Sequence, residues 1–346
     1  MTNTALDLSD SPTLLSALLD EQFSTDGLAD LVGPDEPSVP WEVWESALYG
    51  PLATLLRRPG KEFRARLVEA GHRLGGGRGE APGELLAIVE ALHAGSLVID
   101  DIEDGSAYRR GAPALHVTIG MPKALNLGSW LYFWPYQLLA RLALHPSTEL
   151  ALRRAISRTQ LRAHQGQALD LSTRVAELPQ RELPAVVRVI TSLKTGALMQ
   201  LGAQLGVIAA GGRAEQIAAA ARFGRELGVG LQMADDWGGL ASESRCHKGH
   251  EDLLHSRATW PWAWLAESVD ELSYAKLTHL AREVARRDTH PEVLAERLRE
   301  RLGDTPRERI RRQLRGALDD LARVAPQSAV LSELKRAIDA LEVSYG

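Results

Sequence analysis

Cysteine is nearly missing: Cys246 is the single one among 346 residues. No intramolecular disulfide can form, and the composition suits a reducing cytosol. Long apolar runs are missing too. The most apolar stretches, Trp130–Leu144 and Leu198–Ala210, are too short for a membrane span, and the first contains Pro135 and Arg141. There is no excess of positive charge: the formal net charge is −5, which gives no reason to expect nucleic acid as a partner. The opening MTNTALDLSDSPTL lacks the basic-then-apolar pattern of a secretory leader. β-Branched runs alternating with period two are almost absent, and neither a fixed-period repeat nor an interdomain linker stands out.

What is present is helical period. With 45% hydrophobic and 25% charged residues, the chain has the composition and length for a large core. Residues 1–40 read as a loose lead with one short helix near Thr13–Gln22. Ser38 and Pro40 signal a helix start before WEVWESAL. Further helices are predicted near 61–74, 83–102, 123–143, 147–176, 181–210, 213–238, 259–286, 290–301, 305–323 and 328–342. The expected architecture is all-α, with 41–346 as one helical domain. Small and apolar residues on every side of 193–210 predict a buried helix there.

The chemistry concentrates in HAGSLVIDDIEDGSAYRRG, residues 93–111. Asp100 and Asp104 are four apart on one helical face, with Asp101 adjoining. Like charges so placed need neutralising, and a hard cation such as Mg²⁺ is the natural partner of carboxylate oxygens. A solvated acidic helix end is the plain alternative. Arg109 and Arg110 follow directly, and paired arginines beside carboxylates suit a metal-bridged diphosphate. A second acidic pair, Asp235 and Asp236, ends the apolar run LGVGLQMADDWGG. Read together, the two clusters suggest carboxylate-tipped walls of one cavity. Lys61 and Arg64 sit three apart near a helix start, a natural anion site, while Lys194–Thr195 opens the small-residue helix and Lys248 follows the second pair.

Five ordered segments resemble the motifs of one family, the trans-isoprenyl diphosphate synthases or polyprenyl synthetases. PGKEFRARL (59–67) resembles its glycine–lysine–arginine motif, and residues 93–116 its first Asp-rich motif. KTGAL (194–198) resembles its lysine–threonine motif, LQMADDWGG (231–239) its second Asp-rich motif, and KGHEDLLHSRATWP (248–261) the lysine-containing loop after it. The resemblance implies an all-α isoprenoid-synthase fold, usually a homodimer, with isopentenyl diphosphate and an allylic diphosphate as substrates and two or three Mg²⁺ ions as cofactor. It implies that Asp100, Asp101, Asp104 and Asp235 bind metal and that Asp236 supports the metal shell or a lysine. Lys61, Arg64, His93 and Arg110 would hold isopentenyl diphosphate; Arg109, Lys194 and Lys248 would hold the allylic diphosphate; Thr195 and Gln232 would line the reacting centre. Asp100, Asp101, Arg109, Lys194 and Lys248 are the expected catalytic set.

Three departures accompany the resemblance. Gly239 stands where the second motif normally has its last Asp, Glu62 replaces the first arginine of the glycine–lysine–arginine motif, and Arg257 replaces a lysine. The loss at Gly239 predicts a high Mg²⁺ requirement. Small residues at Gly95 and Ser96, before Asp100, leave room for a growing chain, and the aromatic group Trp130, Tyr132, Phe133 and Trp134 on a neighbouring helix offers a deeper floor; the two together predict a product of about twenty carbons, which Gly95→Phe would shorten. A terpene cyclase on the same scaffold and a non-catalytic partner subunit remain as alternative readings.

Overall fold

A computed structural model describes residues 13–33, 35–57, 63–109, 111–242, 245–325 and 328–345. Its helices are α1 Leu14–Gln22, α2 Thr25–Val32, α3 Trp41–Trp44, α4 Gly50–Leu56, α5 Phe63–Leu74, α6 Gly83–Asp104, α7 Leu115–Ile119, α8 Met121–Ala140 and α9 Pro146–Ser172. They continue as α10 Leu183–Ala209, α11 Ala214–Ala241, α12 Cys246–Leu254, α13 Trp260–Ser268, α14 Glu271–Ala285, α15 Pro291–Leu302, α16 Thr305–Gly316, α17 Asp319–Val324 and α18 Ala329–Tyr345. Among the described residues the strands are a single short hairpin, β1 Tyr108–Arg109 and β2 Ala112–Pro113, with Arg109 opposite Ala112. The all-α expectation is met.

The chain divides into two compact units, Met1–Arg66 with Ala81–Glu149, and Leu67–Glu80 with Leu150–Gly346. In the first, α1 begins where the sequence places it. The Thr13 hydroxyl accepts the Ser16 amide at 3.1 Å, satisfying a first-turn donor. α2 follows, capped by Ser24. Leu19 is wholly buried and Phe23 nearly so. Trp134 of α8 donates its indole N–H to Gln22 at 3.3 Å. The main packing in this unit is α6 on α8. A Cβ at Gly95 would lie 2.9 Å from the Gly128 carbonyl oxygen, so this pair lets the two backbones touch.

In the second unit α10 packs along α11, again backbone to backbone. A Cβ at Gly228 would stand 2.9 Å from the Gly196 Cα. Residues 201–208 are buried without interruption, as the small and apolar composition of that helix predicts. The helix predicted over 259–286 is two helices. Val269 is extended, and Asp270 starts α14 by accepting the Ser273 amide at 2.9 Å. The one predicted over 305–323 also divides, between α16 and α17. α12, not foreseen as a helix, carries Lys248.

Candidate functional site

The first unit builds its cluster on the last turn of α6. That helix stops because Gly105 takes a left-handed conformation (φ 66°), its amide bonding back to Ile102 at 3.3 Å while Ser106 bonds to the Asp101 carbonyl at 2.9 Å. The chain then returns through β1 and β2, and the hairpin swings Arg109 over the carboxylates it has just left. Arg109 Nε donates to Asp101 Oδ1 at 2.7 Å, and Nη2 to Asp100 Oδ2 at 3.3 Å. Asp101 is buried while Asp100 and Asp104 are half-buried. Burial pushes the Asp101 carboxyl up from the ordinary aspartate value, and Arg109 pulls against it. Four carboxylates, those of Asp100, Asp101, Glu103 and Asp104, thus end a helix whose dipole is negative there, with the Arg109 guanidinium bound to two of them.

His93, two turns before Asp100, shares a cavity of about 270 Å³ with Asp101, Arg109 and the apolar residues Leu86, Leu97 and Val98. The start of α5 is fixed beside this cavity: the Ala65 amide donates to the Glu90 carboxylate at 3.2 Å. Arg64, half-buried, lies in that same first turn. Lys61, Glu62 and Arg110 lie outside the described residues.

In the second unit the expected site residues form carboxylate–cation pairs and a run of hydrogen bonds that closes into a ring through the turn of α10 between Thr191 and Thr195. Lys248 Nζ pairs with Asp235. Lys194 Nζ donates to Asp170 at 2.7 Å, and Arg257 Nη1 donates to the Asp170 carbonyl at 2.9 Å. In the ring, Thr195 Oγ1 donates to Gln232 Oε1 at 2.8 Å and Gln232 Nε2 to Asp236 Oδ1 at 2.7 Å. The Trp260 amide donates to Asp236 Oδ2 at 3.0 Å, and its indole N–H to Thr191 Oγ1 at 3.0 Å. Thr191 and Thr195 are one turn apart on α10, as are Gln232 and Asp236 on α11, which is why the ring closes. Both Asp236 oxygens accept bonds within it, so this carboxylate orients Gln232 and Thr195. Burial raises the Asp236 pKa to about 6, against the hydrogen bonds from Trp260 and Gln232.

Two further carboxylates belong to this group and were not foreseen. Asp170 sits on α9 with no neighbouring acid to mark it. Its only signal is Gly166, four residues earlier, where a Cβ would meet the Lys194 amide at 2.6 Å. Asp252, on α12, has its pKa pushed up to about 8 by burial, with Lys248 opposing and Asp236 and Asp170 reinforcing. Lys248 stays charged: burial works against its ammonium, but Asp235 and Asp252 raise its pKa above the usual lysine value. The signal for Asp252 was its place one turn after Lys248.

Among the described residues no three carboxylate, histidine or cysteine side chains converge to hold a metal by themselves. The donors are nonetheless hard oxygens in groups of one to three. That fits Mg²⁺, which commonly takes one or two carboxylates and completes its shell with water and substrate phosphate.

The polyprenyl synthetase family model matches residues 45–298. A geranylgeranyl pyrophosphate synthase of Eremothecium gossypii is 32% identical over 244 residues, 69% of this chain and 73% of that protein. A geranylgeranyl diphosphate synthase of Sulfolobus acidocaldarius is 30% identical over 57% of this chain and 60% of its own length. Among solved structures, a decaprenyl diphosphate synthase from Rhodobacter capsulatus superposes with a TM-score of 0.77 at 20% identity, covering 96% of this chain and 95% of that one. A geranylgeranyl pyrophosphate synthetase from Pyrococcus horikoshii gives 0.67 at 23% identity, covering 94% and 97%. These two structures share the helical fold described above.

Proposed function

As the chain belongs to the polyprenyl synthetase family, we propose that it joins isopentenyl diphosphate to an allylic diphosphate, giving a trans-prenyl diphosphate of twenty carbons. The observation that carries this reading is the pairing in each unit of clustered carboxylates with cationic side chains, Arg109 on Asp100 and Asp101, Lys248 on Asp235. Such pairs can open to receive a diphosphate and its metal while the total charge stays balanced. The product length rests on the curated relatives named as geranylgeranyl diphosphate synthases.

Asp100, Asp101, Asp104 and Asp235 are the residues that would hold Mg²⁺, which when bound supplies charge neutralisation to the departing diphosphate. Arg109, Lys194 and Lys248 bind the allylic diphosphate and take up negative charge as its C–O bond breaks. Lys61, Arg64, His93 and Arg110 hold the diphosphate of isopentenyl diphosphate. The allylic cation left behind is attacked by the isopentenyl double bond, forming the new C–C bond, and a proton then passes to the released diphosphate. Thr195 and Gln232, fixed by the ring through Asp236, present oxygen dipoles to the cation. Leu97 and Val98 keep water from quenching it.

The test is incubation of the purified chain with Mg²⁺, isopentenyl diphosphate and, in turn, dimethylallyl, geranyl and farnesyl diphosphate, with products identified by mass spectrometry. A twenty-carbon diphosphate is expected. Gly239, in place of a metal-binding Asp, favours one rival, a cyclase that ionises a single diphosphate. A hydrocarbon formed without isopentenyl diphosphate would establish that rival instead.

We also propose a homodimer. Met121, Leu125 and Phe133 are spaced along α8 at helical intervals and are 56%, 48% and 69% exposed, an apolar stripe of the kind that a second copy covers.

A further inference from the structure

The second unit contains a cavity of about 430 Å³ between α11, α13 and α16, within the size range of small-molecule sites. None of the carboxylates or lysines assigned above lines it. Its floor is apolar and aromatic: Met233, Trp260, Trp264 and Ala317 line it and are each buried, and the two indoles lie 6.0 Å apart at 36°. Trp264 is 1% exposed, and among the described residues its Nε1–H has no hydrogen-bond partner. That N–H is closed off from the cavity as well as from solvent, so the floor offers an occupant apolar surface alone.

The lining also carries charge of both signs, and their partners decide what is available. Glu226 is bound by Arg188 and Arg225, and Gln313 Nε2 donates to its carboxylate at 2.9 Å. Its negative charge is therefore already matched. Arg309 and Arg312 pair with Glu267 and Glu308 in bonds that solvent reaches. Exposed pairs of this kind contribute little and exchange readily for another anion.

We propose that this cavity is a binding site for an amphiphilic anion: an apolar body seated on the floor of Met233, Trp260, Trp264 and Ala317, with a sulfonate, carboxylate or phosphate head taken by Arg309 and Arg312. The proposal is independent of the function given above. Its interest lies in Trp260, whose amide holds Asp236 and whose ring forms part of the cavity. An occupant touches one side of the residue that fixes the hydrogen-bonded ring on the other.

The experiment is a fluorescence titration of the full chain with anilinonaphthalene sulfonate as the probe, followed by competition with decyl phosphate and decanoate. The double variant R309Q/R312Q should bind the dye at least ~10-fold more weakly, the scale of losing charge-assisted contacts. Trp264→Phe, which trims the aromatic floor, should weaken it several-fold. Lys194→Gln should leave binding unchanged. Displacement by decyl phosphate but not decanoate identifies a phosphate ester as the preferred head, and the reverse identifies a carboxylate. Wild-type dye affinity in both cavity variants overturns the proposal, as does loss of binding in Lys194→Gln, which would place the dye among the diphosphate-binding residues. The surface pair R309Q/R312Q decides the matter if Trp264→Phe fails to fold.

Discussion

Asp101 is the least exposed carboxylate of its cluster, 5% at the side chain against 21% for Asp100, and Arg109 binds both. Replacing it by Asn removes a charge without changing shape. Asp101→Asn is expected to lower turnover at least ~10²-fold at saturating Mg²⁺, the size of losing one preorganised electrostatic contact; steady-state kinetics checks this. Asp252 allows a different test. An acid whose folded pKa is raised stays protonated in the folded state while the unfolded chain ionises, so stability falls as pH rises across that interval. For Asp252 the interval runs from about 3.9, the ordinary value, to about 8. Asp252→Asn cannot ionise and escapes this loss. In metal-free protein its thermal midpoint should match wild type near the acid end and exceed it increasingly toward pH 8. Equal midpoints across the range would show that Asp252 is ionised in the folded protein. Asp170 did not stand out in the sequence, because an isolated aspartate on a polar helix looks like any solvated charge, and Asp252, beside Glu251, carried only its spacing from Lys248. Their placement beside Lys194, Lys248 and Arg257 is what distinguishes them.

At the scale of elements, the glycines decide how close two helices come. A Cβ at Gly249 would fall only 2.1 Å from the Gly239 carbonyl oxygen, and one at Gly239 would meet the Gly249 Cα at 3.2 Å. The α11–α12 crossing therefore uses the position where the family usually has a carboxylate. A side chain at Gly239 would need the Gly249 backbone to give by a few tenths of an ångström. Gly249→Ala tests the crossing with no change of charge. It should lower the thermal midpoint, the usual overpacking cost being about 1–3 kcal/mol. By moving Lys248 from Asp235, it should raise KM for the allylic diphosphate more than for isopentenyl diphosphate. Equal effects on both substrates would refute the local reading. Gly95 follows the same logic. Its missing side chain makes room for Gly128 and Leu131 of α8, so Gly95→Phe would disrupt α6–α8 packing rather than fill a product tunnel. The aromatic group on α8 is likewise not one wall: Trp130 and Trp134 stack together, Trp134 is tied to Gln22 of α1, and Phe133 points to solvent.

For the whole molecule, the exposed stripe on α8 makes the oligomeric state testable. Phe133→Glu places a charge at its most exposed apolar residue and should convert a dimer to a monomer in light scattering coupled to gel filtration, with helicity unchanged. A wild-type monomer would remove the basis of the dimer proposal. Among the described residues no helix is long and apolar enough to cross a membrane, in line with the short apolar runs of the sequence. The helical period, the buried small-residue helix and the Asp-rich ends of α6 and α11 were legible in the sequence, because each depends on contacts a few residues apart, which spacing along the chain encodes directly. The break between α13 and α14 was hidden by continuous helical period, although Asp270 carried the capping signal. Which carboxylate meets which cation, the ring that uses both oxygens of Asp236, and the cavity floored by Trp260 and Trp264 were decided only by the tertiary structure. Those contacts join residues such as Asp170 and Lys194, or Thr191 and Trp260, brought together by helix packing, and no local pattern in the chain records the distance across which two helices meet.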